Sequence, residues 1–564
     1  MLPLALFMGG FGGGVACSWK DAAAGAPIPA VPAQHNLVVT PIPPHGPGQR
    51  EVRVATDATL DGEPFDLGFH PIARTGDRIG DGVFGLRTSR SGAPLPMCEG
   101  LDYTGLWKAS TGLAMVTHFE CQPGAIYLTD LSPLPGGRLR PTSTRAVDTR
   151  PIDGGNYFCA GAPTRWDSHL AAEEYEGDAR KLLPDGTLSD NFEDYNDLAA
   201  WWDGDLREAH PWQYGWMVEV SATGVPARRW AMGRFSHEIA IGMPDDRTFY
   251  LTDDSGDAGA FFLFQADRPR DLSSGTLWAA RWTRGRGPQE YALAWVSLGH
   301  VDEAAVADAV TRRIRFEDLF ATGVPSGTSC PEGLTFVRTN WGPECLAVRP
   351  GMAAVASRLE SRRAAALAGA TLELVKTEGL AFAPEEHSLF LAMTRFETGA
   401  TAADPAWDAG GPDDLHLPRN RCGGVWRLSL GEGTAEGPSG PHVAGAATLA
   451  LAGIERDEGC ADEAIANPDN LEWIAGAGTL AIAEDTGHHL NNALWFYDVR
   501  GRALAKVLEA PPGAEVSGLR WTAGVAGWSY LSVSIQHPFG DDPDATAEER
   551  HSIAGVLGPF PAWE

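Results

Sequence analysis

The chain has 564 residues, and 44 Lys and Arg stand against 74 Asp and Glu for a formal net charge of −30. That balance excludes nucleic acid and an anionic membrane surface as partners, because both demand a basic footprint. Gly (67), Pro (41) and Trp (19) are abundant, which favours a turn-rich array of packed sheets over a helical protein.

The N-terminus reads MLPLALFMGGFGGGVACSWKDAAAGAPIPAVPAQHN. An apolar run followed by Ala/Pro-rich sequence has the form of an export leader and tether, assigned to residues 1–45. Cys17, in GVAC, is a candidate lipidation site. The expected location is periplasmic, cell-surface or secreted. No run of about 18 apolar residues suggests a transmembrane helix. Eight cysteines occur, at 17, 98, 121, 159, 330, 345, 422 and 460. An oxidising compartment would pair them. With Cys17 and Cys159 set aside, the sequential pairing is 98–121, 330–345 and 422–460, one of about fifteen possible connectivities.

From residue 46 to 564 one unit recurs: strand, turn, strand ending on a carboxylate or its equivalent, loop, aromatic third strand. Clear copies are NPDNLEWIAGAGTLAIAEDTG with NALWFYDV, TEGLAFAPEEHSLFLAMTRF with GGVWRLSL, and FSHEIAIGMPDDRTFYLTDD with GAFFLFQA. Looser copies are DYTGLWKASTGLAMVTHFE, FCAGAPTRWDSHLAAEEYE and EVSGLRWTAGVAGWSYLSVSIQHP, making six. The expected fold is all-β, a six-bladed β-propeller with helical and loop insertions. HVDEAAVADAVTRRI and GMAAVASRLESRRAAALAGA mark a helical insertion over about 299–370. Residues 180–212 form a long acidic and aromatic loop, a length that often carries function.

In a short hairpin the first and last residues lie side by side. Cys159 and Glu173, Glu238 and Asp253, Glu378 and Thr394, and Asn470 and Asp485 are 14 to 16 residues apart, and Glu120 ends the first hairpin. With the first strand of each copy innermost, these groups converge on one mouth of a central channel. Facing carboxylates drive one another's pKa values up unless cations sit among them. Oxygen-rich sites suit calcium. A thiolate among oxygens suits a softer metal such as iron or zinc.

The segments CAGAPTRWDSHLAAEEYE, GRFSHE, YLTDD before GAFFLFQ, TEGLAFAPEEHSLFLAMT and SIQHP resemble the PhoX family of bacterial alkaline phosphatases, over roughly 103–538. The resemblance implies an exported monomeric propeller that hydrolyses phosphate monoesters with iron and calcium. It makes Cys159 the iron ligand, and Glu120, Glu173, Glu174, Glu238, Asp253, Glu378 and Asp485 metal ligands, with Asp469 and Asn470 beside them. Arg234 and Arg395 are candidates for binding phosphate. His237 and His118, next to site carboxylates, are candidates for protonating the leaving group or contacting a metal. A dianionic substrate and an acidic protein repel each other, so metal charge would have to bind the ester and activate a bridging water or oxo nucleophile. A calcium-dependent lactonase-like hydrolase and a non-catalytic calcium-stabilised surface propeller are the alternatives; neither needs a thiolate.

Overall fold

In the computed structural model the described residues are 35–43, 49–183, 185–188, 193–401 and 413–563; most of residues 1–45, with Cys17, lies outside them. Antiparallel units succeed one another along the chain, in sheets of four, four, nine, five and four strands. Their innermost strands are β1 (Leu101–Ala109), β2 (Phe158–Pro163), β3 (His237–Gly242), β4 (Thr377–Ala383), β5 (Pro468–Ile474) and β6 (Glu515–Val525). Each packs on the next, and β6 packs back on β1. The result is an all-β propeller. Hydrogen bonding fuses the third and fourth units into one nine-stranded sheet, through Glu290–Asp302 paired with Val443–Ala452. The last unit is completed by an N-terminal strand, Gly68–Arg74, laid against Ile553–Pro561.

The inner two strands of each unit are largely buried on both faces because a neighbouring unit covers each side. In β1, every residue from Leu101 to Trp107 is buried. Val116, Ile126 and Leu128 of the first unit pack with Phe158, Ala171 and Val218 of the second. Phe390 of the fourth stacks on Trp473 of the fifth, with centroids 5.8 Å apart and planes at 9°. Burying a side chain of this size contributes roughly 1.5–3 kcal/mol.

All six innermost strands share one irregularity. The register runs Leu101↔Phe119 and then Thr104↔Thr117, so the inner strand carries one extra residue. The same bulge recurs in β2 to β6. A bulge re-aims side chains locally, and here it decides which residues face the channel.

Between the third and fourth units lies the insertion. Its helices are α1 (Glu303–Thr311), α2 (Phe316–Leu319), α3 (Ala353–Leu359) and α4 (Ser361–Ala368). It is not purely helical: Phe320–Gly323, Gly342–Val348 and Thr335–Thr339 form a three-stranded sheet, stapled by Cys330–Cys345. The acidic loop 180–212 packs Tyr195, Leu198, Trp201 and Trp202 into its own small cluster with Tyr214. Cys98–Cys121 and Cys422–Cys460 are the other two disulfides, and Cys159 is a free, buried thiol. These bridges are consistent with an extracytoplasmic protein. Among the described residues no helix is long and apolar enough to cross a membrane.

Candidate metal centre

The bulge fixes the first ring of groups. Directly after the last paired residue before the bulge of each innermost strand stand Asp102, Cys159, Glu238, Glu378, Asp469 and, in the sixth unit, Gly518. Ligand atoms of Asp102, Cys159 and Glu238 lie within 4.8 Å of one another, as do those of Glu238, Glu378 and Asp469. Glu238 therefore belongs to both groups. The Cys159 thiol donates to Glu238 Oε2 at 2.8 Å. Asn470 Nδ2 donates to Glu238 Oε1 at 3.3 Å and to Asp469 Oδ1 at 3.0 Å. Its Oδ1 accepts from the Gly518 N–H at 2.5 Å. A side chain at Gly518 would meet the backbone of Asp102 and Thr104, and its φ of +64° favours glycine.

A second tier stands one residue past the end of the second strand in the first five units: Glu120, Glu174, Asp254, Thr394 and Asp485. Gln536 Nε2 donates to Glu120 Oε2 at 2.9 Å. Lys376 Nζ lies 2.9 Å from Asp254 Oδ2 and 3.3 Å from Glu378 Oε1.

The electrostatics favour cations. Burial, then the charge of Glu120, pushes Asp102 up to about 7. Burial, then Asp254, pushes Glu378 up to about 8. Glu238, Asp469, Glu174 and Glu515 stand well above the carboxylate range, by burial first and by neighbouring carboxylates next. Burial and the surrounding acids, Asp102 foremost, raise the Cys159 thiol as well. Against its burial, Lys376 holds Asp254 below its usual range. Asp102 Oδ2 is buried with no hydrogen-bond partner among the described residues. Hard oxygen donors, one thiol and an orphaned oxygen fit bound metal ions, which would reverse every one of these upward shifts.

Other expected residues lie elsewhere. Glu173 is tied to Arg228 Nη2 at 3.0 Å and accepts from the backbone N–H groups of Gly215 and Trp216, both at 3.1 Å. Asp253 meets Arg362 Nε at 3.1 Å and accepts from Ala260 N at 3.0 Å. The cause is parity. Glu173 pairs directly with Phe158, and Asp253 with His237. Side chains alternate along a strand, so Glu173 and Asp253 share the faces of Phe158 and His237, whereas Glu174 and Asp254 join Cys159 and Glu238. Glu484 repeats the pattern, accepting from Ala466 N and Trp495 Nε1 at 2.9 and 2.7 Å, while Asp485 follows it.

Arg234 is a buried clamp, donating to the carbonyls of Tyr214, Gly177 and Pro211 at 2.7, 2.7 and 2.9 Å. Arg395 reaches Asp257 at 3.3 Å. His237 Nε2 bonds the Gly233 carbonyl at 2.9 Å, and burial lowers its pKa to about 3. His118 Nδ1 bonds the Cys159 carbonyl at 2.7 Å and its Nε2 meets His169 Nε2 at 2.9 Å; burial lowers it to about 4. Among the described residues, none of these four side chains makes a hydrogen bond or ion pair with a carboxylate of either tier.

Sequence reading missed Asp102, Asp254, Glu515 and Lys376. Asp102 opens the first repeat and occupies the Cys159 position, so aligning the six copies on their inner strands finds it. Lys376 carried no signal beyond lying two residues before Glu378.

A family model, alkaline phosphatase PhoX, matches residues 135–538. No curated protein sequence matches. Among solved structures, PhoX of Pseudomonas fluorescens in complex with vanadate, a transition state analogue, aligns with a TM-score of 0.63 at 16% identity, covering 93% of this chain and 98% of that one. The periplasmic gluconolactonase PpgL of Pseudomonas aeruginosa aligns with a TM-score of 0.32 at 10% identity, over 81% and 99% of the two chains. A Trichoderma reesei carbohydrate-active enzyme of family AA12 gives 0.32 at 8%, over 86% and 98%. The family match spans well over half of the sequence: this chain belongs to the alkaline phosphatase PhoX family, and with it to the phosphoric monoester hydrolases.

Proposed function

We propose that the chain is an exported, metal-dependent phosphatase that releases inorganic phosphate from phosphate monoesters at this channel mouth. Asp102, Cys159 and Glu238 would hold iron. Glu378, Asp469, Glu120, Glu174, Asp254 and Asp485 would hold calcium, with Glu238 shared between the two groups. The observation that carries the reading is a thiol enclosed by buried carboxylates, a donor set that a lactonase or a purely structural calcium site does not need. The likeness to a PhoX that binds vanadate supports it.

When bound, the metals supply the positive charge that a dianionic ester requires and acidify the attacking water. The chain's own residues do the rest. Asn470 holds Glu238 and Asp469 at fixed spacing, and Gly518 holds Asn470. Lys376, flanked by Asp254 and Glu378, presents an ammonium to a phosphoryl oxygen entering from outside. Three disulfides support export to an oxidising compartment, and action as a monomer belongs to the same reading.

A chromogenic phosphomonoester assay tests it, on protein as purified, stripped with chelator, and reloaded with calcium and iron. Activity should vanish on stripping and return on reloading. Glu238→Gln should lower kcat/KM by at least ~100-fold, beyond the ~10–100-fold of a merely supporting contact. No phosphate release in any metal state overturns the proposal.

A further inference from the structure

Beside the channel mouth lies a recess of about 320 Å³ that the propeller core does not explain. Lys376 and Asp254 form its inner edge, Tyr175, Asn340, Trp341 and Arg362 are among the residues of its walls, and the acids Glu176 and Asp194 also line it. Tyr175 directly follows Glu174 and sits at φ +49°, a left-handed conformation costly for a bulky side chain. Ser236 Oγ accepts from its N–H at 3.0 Å, and its carbonyl accepts from Asn156 Nδ2 at 3.2 Å. The strain aims an aromatic ring outward, 44% exposed, one residue from a buried channel carboxylate. Tyr157, two residues before Cys159, is also left-handed at φ +41°, and its ring stands edge-on to Tyr175 at 5.1 Å.

The opposite wall comes from the insertion. Asn340 and Trp341 form the turn between Thr335–Thr339 and Gly342–Val348, the sheet that Cys330–Cys345 staples. Asn340 Oδ1 and Arg362 Nη1 are buried with no hydrogen-bond partner among the described residues. Buried polar atoms without partners are uncommon and call for a ligand or water. A recess of this size is at the small end of the ~300–1,000 Å³ range of small-molecule sites. It is large enough to accommodate one ring system.

We propose that this recess is the leaving-group subsite, and that it selects phosphate monoesters whose alcohol carries a planar aromatic ring, packed against Tyr175 and Trp341 and hydrogen-bonded through Asn340 and Arg362. The proposal rests on the phosphatase reading above. Lys376, beside Asp254 and Glu378, also lines the recess, so a phosphoryl group held next to it would have its ester oxygen at the entrance. An uncharged ring is also the leaving group least opposed by the acidic surroundings.

Benzyl phosphate and n-propyl phosphate, both esters of primary alcohols, provide the test on metal-loaded enzyme. Trp341→Ala should reduce the benzyl-to-propyl ratio of kcat/KM by roughly 5–10-fold, mostly through KM, as loss of one aromatic packing contact predicts. Trp341→Phe should restore most of it. Tyr175→Ala, on the propeller rather than the insertion, should lower the ratio similarly, which keeps the test decisive if Trp341→Ala disturbs the insertion. Ratios that do not move in Trp341→Ala and Tyr175→Ala overturn the subsite while both esters are still hydrolysed. A wild type that hydrolyses neither ester defeats the phosphatase reading and the subsite with it.

Discussion

Burial sets the chemistry of Cys159. Enclosed by Asp102, Glu238, Glu174 and Glu120, the thiol keeps its proton and donates a hydrogen bond to Glu238; only a cation at sulfur reverses that. Cys159→Ser retains a donor of similar size but not a soft ligand. The substitution should bleach any thiolate-to-iron absorption and cost at least ~100-fold in phosphatase activity, while the melting temperature of chelated protein stays close to wild type. Colourless, iron-free, fully active wild-type enzyme would count against the assignment. His489 shows a second effect of environment. Its Nδ1 lies 3.0 Å from Glu484 Oε2 and its Nε2 lies 3.2 Å from the Ala461 carbonyl. Burial lowers its pKa, yet hydrogen bonding and attraction to Glu484 raise it on balance. A folded pKa above the unfolded one means that the stabilisation is complete below about pH 6.5 and is lost as pH rises through the raised value. His489→Gln donates to Glu484 without titrating. Melting curves across pH 6 to 9 should show a wild-type decline that the variant lacks; parallel curves refute it.

At the level of the element, the repeat was legible and its register was not. Six copies of strand, turn and strand announced the propeller because each must bury both faces against its neighbours. Spacings of 14 to 16 residues then placed carboxylates near the channel. A one-residue bulge in each inner strand shifts the parity, and no composition signal marks a bulge. That is why Glu173 and Asp253 read as channel groups, although they are ion-paired with Arg228 and Arg362. Arg362 reaches Asp253 from α4, 109 positions along the chain, a contact that sequence spacing cannot reveal. Paired variants separate the two roles. Glu173→Ala leaves the Arg228 guanidinium buried without its carboxylate and should cost ~3–5 kcal/mol of stability. Glu174→Gln should leave stability of the metal-free protein nearly unchanged and lower calcium content and activity. Calorimetry with metal analysis checks both. Glu173→Ala that folds normally but loses metal would show the register assignment to be wrong.

For the whole molecule, two kinds of link close the ring. On the outside, Gly68–Arg74 hydrogen-bonds to Ile553–Pro561, joining the N-terminal side of the chain to its end. In the inner ring, the first five units each place one acid or thiol after the bulge position and the sixth places Gly518. Without cations the inner groups oppose assembly, since burial and mutual charge both disfavour their ionised forms. With cations they become ties between neighbouring units. Metal binding should therefore stabilise the fold by RT ln(1 + [L]/Kd), ~2.7 kcal/mol for each independent site at a hundredfold excess over Kd. The outer link is independent of this. Ile72, buried on the closing strand, should lose ~2–5 kcal/mol on truncation to Ala. Sites far apart and without shared partners act additively, so Ile72→Ala should lower stability equally in chelated and calcium-loaded protein. Glu238→Gln, at the group shared by both ligand sets, should instead abolish most of the difference between those two states. Calorimetry of wild type and both variants, each with chelator and with excess calcium, gives the six melting temperatures required. If chelated and loaded wild type melt together, the centre does not hold the ring; if Glu238→Gln keeps the full calcium response, the ions that stabilise the protein bind elsewhere.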